Sequence, residues 1–312
     1  MSMTTPIIVV TGASKGIGAE IARTEGKLGN RVVMLARDMD ALNQIADEIN
    51  ASGGDAYPFR VDLTDASDMQ FTVSKIIHEI GVPDVLINNA GAGRWTTLQE
   101  TPVKEIIQNI QVPGISTMVI TKLFLEKMIE KATPESPVHI INMTSPAGLG
   151  MNIPGTSGGY LTARTMVANF TEALRIDLRH LADRVKISLI SPGKVSTGYF
   201  VTNGDNAQEN RVPLRSLISE ITPQEVAMKV SETIEERESV NLVFPFAIKA
   251  LVTAFKVSPT IMQFFLTHVF GWQPAKVPGA SNHTYKKLAT IAAACLFAVL
   301  IIRMQNSMKL TR

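Results

Sequence analysis

The chain has a single cysteine, Cys295, among 312 residues. A lone thiol excludes an internal disulfide and fits a reducing compartment. The five histidines, His78, His139, His180, His268 and His283, are scattered. None pairs with another at metal-ligand spacing, so no metal is expected. The net charge is only +2, which carries no global signature of nucleic-acid binding. No secretory leader is expected ahead of Ile7, where the first apolar run begins. The ending Lys309-Leu310-Thr311-Arg312 is neither a retention nor a peroxisomal address. Acidic residues stop at Glu238. Residues 1–240 hold 22 Lys/Arg against 28 Asp/Glu, a net of −6. Residues 241–312 hold eight cations and no acid: Lys249, Lys256, Lys276, Lys286, Lys287, Arg303, Lys309 and Arg312. Such asymmetry implies a different environment for the tail.

What is present begins with Ile7-Ile8-Val9-Val10, an apolar β-branched run. It leads into Thr11-Gly12-Ala13-Ser14-Lys15-Gly16-Ile17-Gly18 and then into helical spacing at Ile17, Ile21 and Ala22. Strand, glycine turn and helix is the geometry that holds a dinucleotide pyrophosphate. Glycines let the backbone approach the phosphates, and the helix start offers unpaired N–H groups. The three glycines alone would be weak; the flanking strand and helix give them weight.

Further buried strands are predicted at Arg31–Ala36, Ala56–Val61, Asp84–Ile87, Val138–Met143 and Val185–Ile190. Helices are predicted over about 38–51, Ala66–Ile80, 99–132 (two helices, Pro113-Gly114 between them) and Gly159–Leu181. This alternation implies parallel βαβ units: an α/β, Rossmann-type doubly wound parallel sheet with a C-terminal apolar helical extension. At 45% hydrophobic, the chain can bury one large domain plus something smaller. The expected division is 1–240 as a dinucleotide-binding catalytic domain and 241–282 as an apolar helical extension at a membrane surface. Residues 283–312 are expected to form an anchor helix with a short basic tail. Ligands of such sheets sit at the carboxyl ends of the strands. The unusual dipeptides Asn88-Asn89, Ala90-Gly91 and Pro192-Gly193 all fall there.

An NAD-type site carries an acid at the end of the second strand, to bind the ribose 2′-hydroxyl. Here that place holds Ala36 followed by Arg37, and Lys15 lies within the glycine turn. Two cations attract a 2′-phosphate, so NADP is the expected cofactor.

The glycine turn, Asn88-Asn89-Ala90-Gly91, Ser145, Tyr160 and Pro192-Gly193 together resemble the short-chain dehydrogenase/reductase superfamily over about residues 6–240. The resemblance implies cofactor contacts from Thr11, Gly12, Ser14, Lys15, Gly16, Ile17, Gly18 and Arg37. Asp62 and Leu63 would lie on the adenine side. Asn89, Ala90 and Gly91, in the turn that stabilises the central sheet, would also contact the cofactor, as would Tyr160 and Arg164, with Pro192, Gly193, Val195 and Thr197 on the nicotinamide side. It implies Tyr160 as acid/base and Ser145 as the group that orients the substrate oxygen. A cation one turn after the Tyr would lower its pKa and bind the nicotinamide ribose. Bringing a Tyr from about 10 toward 7 takes roughly 4 kcal/mol.

Tyr160-Leu161-Thr162-Ala163-Arg164 carries Arg where that family has Lys. Arg keeps the charge but does not readily deprotonate. The Ser145–Tyr160 interval is longer than the family's common one. The helix Asn of the family's water relay is replaced by Gln111, counted from Gly114, with Asn109 nearby. Gly198–Arg211 is expected to close over substrate as a lid.

Leu288–Ile302 is fifteen residues without a charge, bracketed by Lys286-Lys287 and Arg303. As a helix it spans about 22 Å, short of a hydrocarbon core of about 30 Å unless the flanking cations snorkel. A buried core helix is the alternative. The leading expectation is a membrane-attached, NADPH-dependent oxidoreductase. It interconverts a carbonyl and an alcohol on a lipophilic substrate, a keto lipid, steroid or retinoid. Its catalytic domain faces the cytosol on the endoplasmic reticulum or another intracellular membrane, and a homodimer is left open. Two rivals remain: a membrane-attached NADP(H)-binding pseudoenzyme acting as sensor or scaffold, and a soluble enzyme whose tail is an oligomer interface.

Overall fold

The computed structural model describes residues 5–91, 98, 101–151, 158–197 and 220–264. The expected lid, the expected anchor 283–312 and Cys295 lie outside them. In chain order the main elements are β1 (Ile7–Thr11), α1 (Gly16–Lys27), β2 (Arg31–Ala36), α2 (Met39–Ala51), β3 (Asp55–Arg60), α3 (Ala66–Glu79) and β4 (Val85–Asn88). There follow α4 (Val103–Ile110), α5 (Ser116–Lys131), β5 (Val138–Met143), α6 (Gly158–Asp177) and β6 (Val185–Pro192). The last are α7 (Pro223–Glu236), β7 (Asn241–Phe244), α8 (Phe246–Val257) and α9 (Pro259–Phe264).

The strands form one seven-stranded sheet, ordered β3-β2-β1-β4-β5-β6-β7, with every pairing parallel. β1, β4 and β5 are buried along their whole length, which is why they read as mainly apolar. Successive side chains alternate between two cores. Ile8, Val10, Val32 and Met34 pack with α1, α2 and α7; Val9, Val33, Leu86 and Ile140 pack with α3 and α5. Strand order reverses between β1 and β4, so the switch point lies over the glycine turn and the Asn88–Gly91 turn.

α2, α3 and α7 start at side-chain caps. Asp38 accepts from the Ala41 amide, Asp65 from Ser67 and Asp68, and Thr222 with Glu225 closes a full capping box. Pro113-Gly114 does not break the helix as expected. α4 runs into α5 through a π-helical turn, Gln111–Ile115. Pro113 brings no N–H to the ladder. The Ser116 and Thr117 hydroxyls donate to the carbonyls of Val112 and Pro113 instead.

The sheet also extends one strand beyond the expected six. β7 pairs with β6 from Leu189↔Asn241 to Pro192↔Phe244. It lies inside the segment assigned to an apolar extension. α8 likewise buries Ile248, Val252 and Phe255, which cluster with Met151 and Val243. Residues 241–257 thus add an edge strand and a packed helix to the sheet. Among the described residues no helix is long and apolar enough to cross a membrane.

A polar chain runs through the dry centre. Asn88 Nδ2 donates to Thr121 Oγ1 at 2.9 Å and to Asn142 Oδ1 at 2.8 Å; Asn142 Nδ2 donates to Thr171 Oγ1 at 2.9 Å. It ties β4 and β5 to α5 and α6.

His139 on β5 is also buried, its Nε2 2.8 Å from Ser188 Oγ. Burial, then the charges of Lys186 and Arg175, lower its pKa to about 4. An unfolded histidine titrates near 6.5. The stability held by the neutral ring is thus full above that value and is lost as pH falls toward 4, by about 3 kcal/mol. Urea unfolding at pH 7 and pH 4 should show this loss in wild type and not in His139→Gln. Equal losses in both would refute it.

Candidate active site

The glycine turn is shaped by its neighbours. Gly12 and Gly16 adopt positive φ, +69° and +58°. A Cβ on Gly18 would lie 2.3 Å from the Gly12 carbonyl oxygen and 2.6 Å from Asn89 Nδ2. Asn89 Nδ2 donates to the Thr11 carbonyl at 3.0 Å, while Thr11 Oγ1 accepts from the Asn89 and Ala90 amides, each at 3.0 Å. The glycine turn and the Asn88–Gly91 turn are thus one packed unit. At the start of α1, Lys15 gives no side-chain cap and the first turn holds no acid. Among the described residues neither the cap position nor the first turn thus supplies a side-chain acceptor to the first N–H groups of α1, as an anion site requires. Ser14 and Ile17 flank this opening, half-buried.

Arg37 and Lys15 are exposed. Asp62 is half-buried and its carboxylate accepts from Thr64 N at 2.9 Å and Thr64 Oγ1 at 2.8 Å. Those bonds, the backbone one first, hold its pKa below the usual carboxylate range; the charges of Arg37 and Arg60 add to the effect. Leu63 beside it is buried. Gln111 Nε2 donates to the Thr64 carbonyl at 3.3 Å, so its side chain meets this adenine-side loop. Asn109 is the buried amide that lies against α6, where a Cβ on Gly159 would come within 3.3 Å of it.

Ser145 follows β5 and caps the short 3₁₀ turn Pro146–Leu149, its Oγ accepting from Ala147 N at 3.4 Å. Tyr160 and Arg164 lie one turn apart on α6, hence on one face. The Arg164 guanidinium carbon is 5.2 Å from the Tyr160 ring centre. Arg164 is only 8% exposed; Nη1 donates to the Met143 carbonyl at 3.0 Å. Its Nε is buried with no partner among the described residues. Thr144 Oγ1 donates to the Arg164 carbonyl at 2.9 Å. A Cβ on Gly148 would lie 2.4 Å from that same carbonyl oxygen. The Ser145 turn is therefore pressed onto α6 at Arg164. Met143 and Gly148 were not singled out in the sequence. A backbone carbonyl leaves no sequence signal, and Gly148 read only as loop.

On the far side, Gly193 N donates to the Phe244 carbonyl at 2.8 Å, and Val195 bridges Ile221 in parallel. Pro192 ends β6 and Thr197 N donates to the Val195 carbonyl at 2.8 Å. A Cβ on Gly16 would be 3.5 Å from Thr197 Cγ2, so the two ends of the chain's motifs face each other. A glycine cradle, a helix start with no cap from Lys15 and a buried cation beside Tyr160 fit a nicotinamide dinucleotide. Among the described residues no group of His, Cys, Asp and Glu could hold a metal.

Comparison with known proteins agrees with this geometry. Residues 6–208 match the sequence model described as short chain dehydrogenase. Dehydrogenase/reductase SDR family member 11 of Gallus gallus is 32% identical over 207 residues, covering 65% of this chain and 80% of the relative. Probable oxidoreductase EphD of Mycobacterium tuberculosis is 27% identical over 252 residues, 77% of this chain. The chain spans only 41% of that relative's length. Among solved structures, a metagenomic short-chain oxidoreductase in complex with NADP is 29% identical with a TM-score of 0.61, covering 78% of this chain and 99% of that one. A short chain dehydrogenase/reductase from Burkholderia phymatum in complex with NAD shares the fold at 24% identity and a TM-score of 0.71, covering 90% of this chain and 100% of that one.

Proposed function

The chain belongs to the short-chain dehydrogenase/reductase family, and from that premise we propose that it is an NADPH-dependent oxidoreductase interconverting a carbonyl and an alcohol on a lipophilic substrate. The observation that carries this reading is Tyr160 beside a buried Arg164 at the strand ends that face the glycine cradle. Bound NADPH supplies the hydride for the carbonyl carbon. The Tyr160 hydroxyl gives its proton to the carbonyl oxygen, and takes one from the alcohol in reverse. Ser145 donates a hydrogen bond to that oxygen and fixes its orientation. The Arg164 guanidinium faces the ring that carries the charge left behind. Asn89 and Thr11 hold the cradle's shape.

Purified protein should oxidise NADPH with members of a panel of keto lipids, steroids and retinal. Lys15 and Arg37 support NADPH over NADH, as the metagenomic relative's bound NADP also does. Arg37→Asp should narrow the preference by about ten- to a hundred-fold, the worth of a charge-assisted hydrogen bond. Equal NADH and NADPH affinities in wild type would sink the cofactor assignment. The rival reading, an NADP(H)-binding pseudoenzyme, is favoured by Arg164 standing where the family has Lys. NADPH binding without turnover on the whole panel would select it.

We further propose attachment to an intracellular membrane with the catalytic domain in the cytosol; the tail's composition supports the attachment. Its apolar run 288–302 is flanked by cations, and no acid follows Glu238. Phe246, Val257, Ile261 and Phe264 stand exposed near Lys249 and Lys256, a surface suited to anionic lipid. Carbonate-washed membranes should retain the full chain and release one truncated at 282. Full-length protein in the soluble fraction would end this part of the proposal.

A further inference from the structure

Gly91 ends the turn that follows β4. Its φ lies outside the left-handed region, so its backbone makes no demand for glycine. Space does. A Cβ built there would lie 2.3 Å from Arg164 Nη2, 2.9 Å from Cζ and 3.2 Å from Nη1. All three atoms belong to one guanidinium. That group is held elsewhere by the Met143 carbonyl and the Tyr160 ring. It is buried, so a displaced fork would leave the Met143 carbonyl without this donor and carry a charge into new surroundings.

We propose that Gly91 is a positioning residue for Arg164: its missing side chain is the space in which the guanidinium stands between the Met143 carbonyl and the Tyr160 ring. The pairing is particular to arginine. Lysine ends in one compact ammonium without a fork and does not fill the volume beside Gly91. Two positions on separate elements are therefore coupled, the substitution of Lys by Arg on α6 requiring the bare backbone after β4. The inference rests on Arg164 serving the cofactor site proposed above.

The colliding atoms are the tip of a long side chain, so Gly91→Ala should fold and melt close to wild type. Its NADPH affinity, read by fluorescence titration, should fall about ten-fold or more, because the guanidinium leaves its seat between the Met143 carbonyl and the Tyr160 ring. In an Arg164→Lys background the loss caused by Gly91→Ala should be clearly smaller, since the fork it collides with is gone. Equal losses in both backgrounds overturn the proposal. The crystal structure of Gly91→Ala decides independently if Arg164→Lys binds NADPH too weakly to titrate. A guanidinium displaced from the Met143 carbonyl supports the proposal, and one left in place overturns it. Wild-type protein that binds NADPH but reduces no carbonyl would sink the functional reading and leave this coupling standing.

Discussion

Tyr160→Phe should lower kcat for carbonyl reduction by about two to four orders of magnitude, the usual contribution of a positioned acid/base. That is roughly 3–5 kcal/mol of barrier. The change removes one oxygen and keeps the ring. The ring is what the Arg164 guanidinium faces at 5.2 Å, so the cation keeps its place and its bond to Met143. NADPH affinity should accordingly stay within a few-fold of wild type. Ser145 remains to orient the carbonyl, and any residual rate reports hydride transfer without a matched proton donor. Single-turnover NADPH oxidation, with a parallel fluorescence titration, reads both quantities. Wild-type turnover in the variant would remove Tyr160 from the acid/base role.

Gly18→Ala should have a comparably large effect by a different route. The added methyl would meet the Gly12 carbonyl oxygen at 2.3 Å and Asn89 Nδ2 at 2.6 Å. Neither can yield cheaply. The first is backbone in a positive-φ turn; the second is pinned by its bond to the Thr11 carbonyl. The turn must open, and α1 must swing from the cradle. Overpacking of this kind costs about 1–3 kcal/mol of stability. The backbone amides would then lose their aim at the pyrophosphate, and NADPH affinity should fall by about a hundred-fold or more, the worth of two lost charge-assisted bonds. Thermal melting and NADPH titration separate the two losses. An affinity within about two-fold of wild type would show that the turn does not hold the phosphates.

The first six strands were legible because most are largely apolar runs set off by glycines, prolines or polar turns, and β3 fell between two helical segments at the spacing of the others. β7 was not. Asn241-Leu242-Val243-Phe244 runs through Pro245 straight into the apolar α8, so the pair reads as one continuous hydrophobic stretch. An edge strand of four residues leaves little pattern of its own. The cofactor cradle could be read because its glycines are local in sequence. The seating of Arg164 could not, since Gly91, Met143 and Tyr160 meet it only through the fold. The placement of Gln111 has another cause. A π-helical turn takes up more residues than an α-helical one. Counting from Gly114 through Gln111–Ile115 therefore does not predict which side chain meets α6, and Asn109 is the amide found there.

The buried Asn88–Asn142–Thr171 chain sets the phase of α6. Thr171 shares the inward-facing stripe of α6 with Arg164 and Val167. A slip of the helix by one residue would turn this stripe by about 100°. Tyr160 and Arg164 would then leave the strand ends together, and the Asn142 amide would face dry protein without Thr171. The polar link acts as a key in a slot, far from the chemistry. An apolar core alone would accept several neighbouring settings of such a helix. This one admits a single setting, and it is the one in which the Tyr160 ring and the Arg164 guanidinium stand together beside the end of β5.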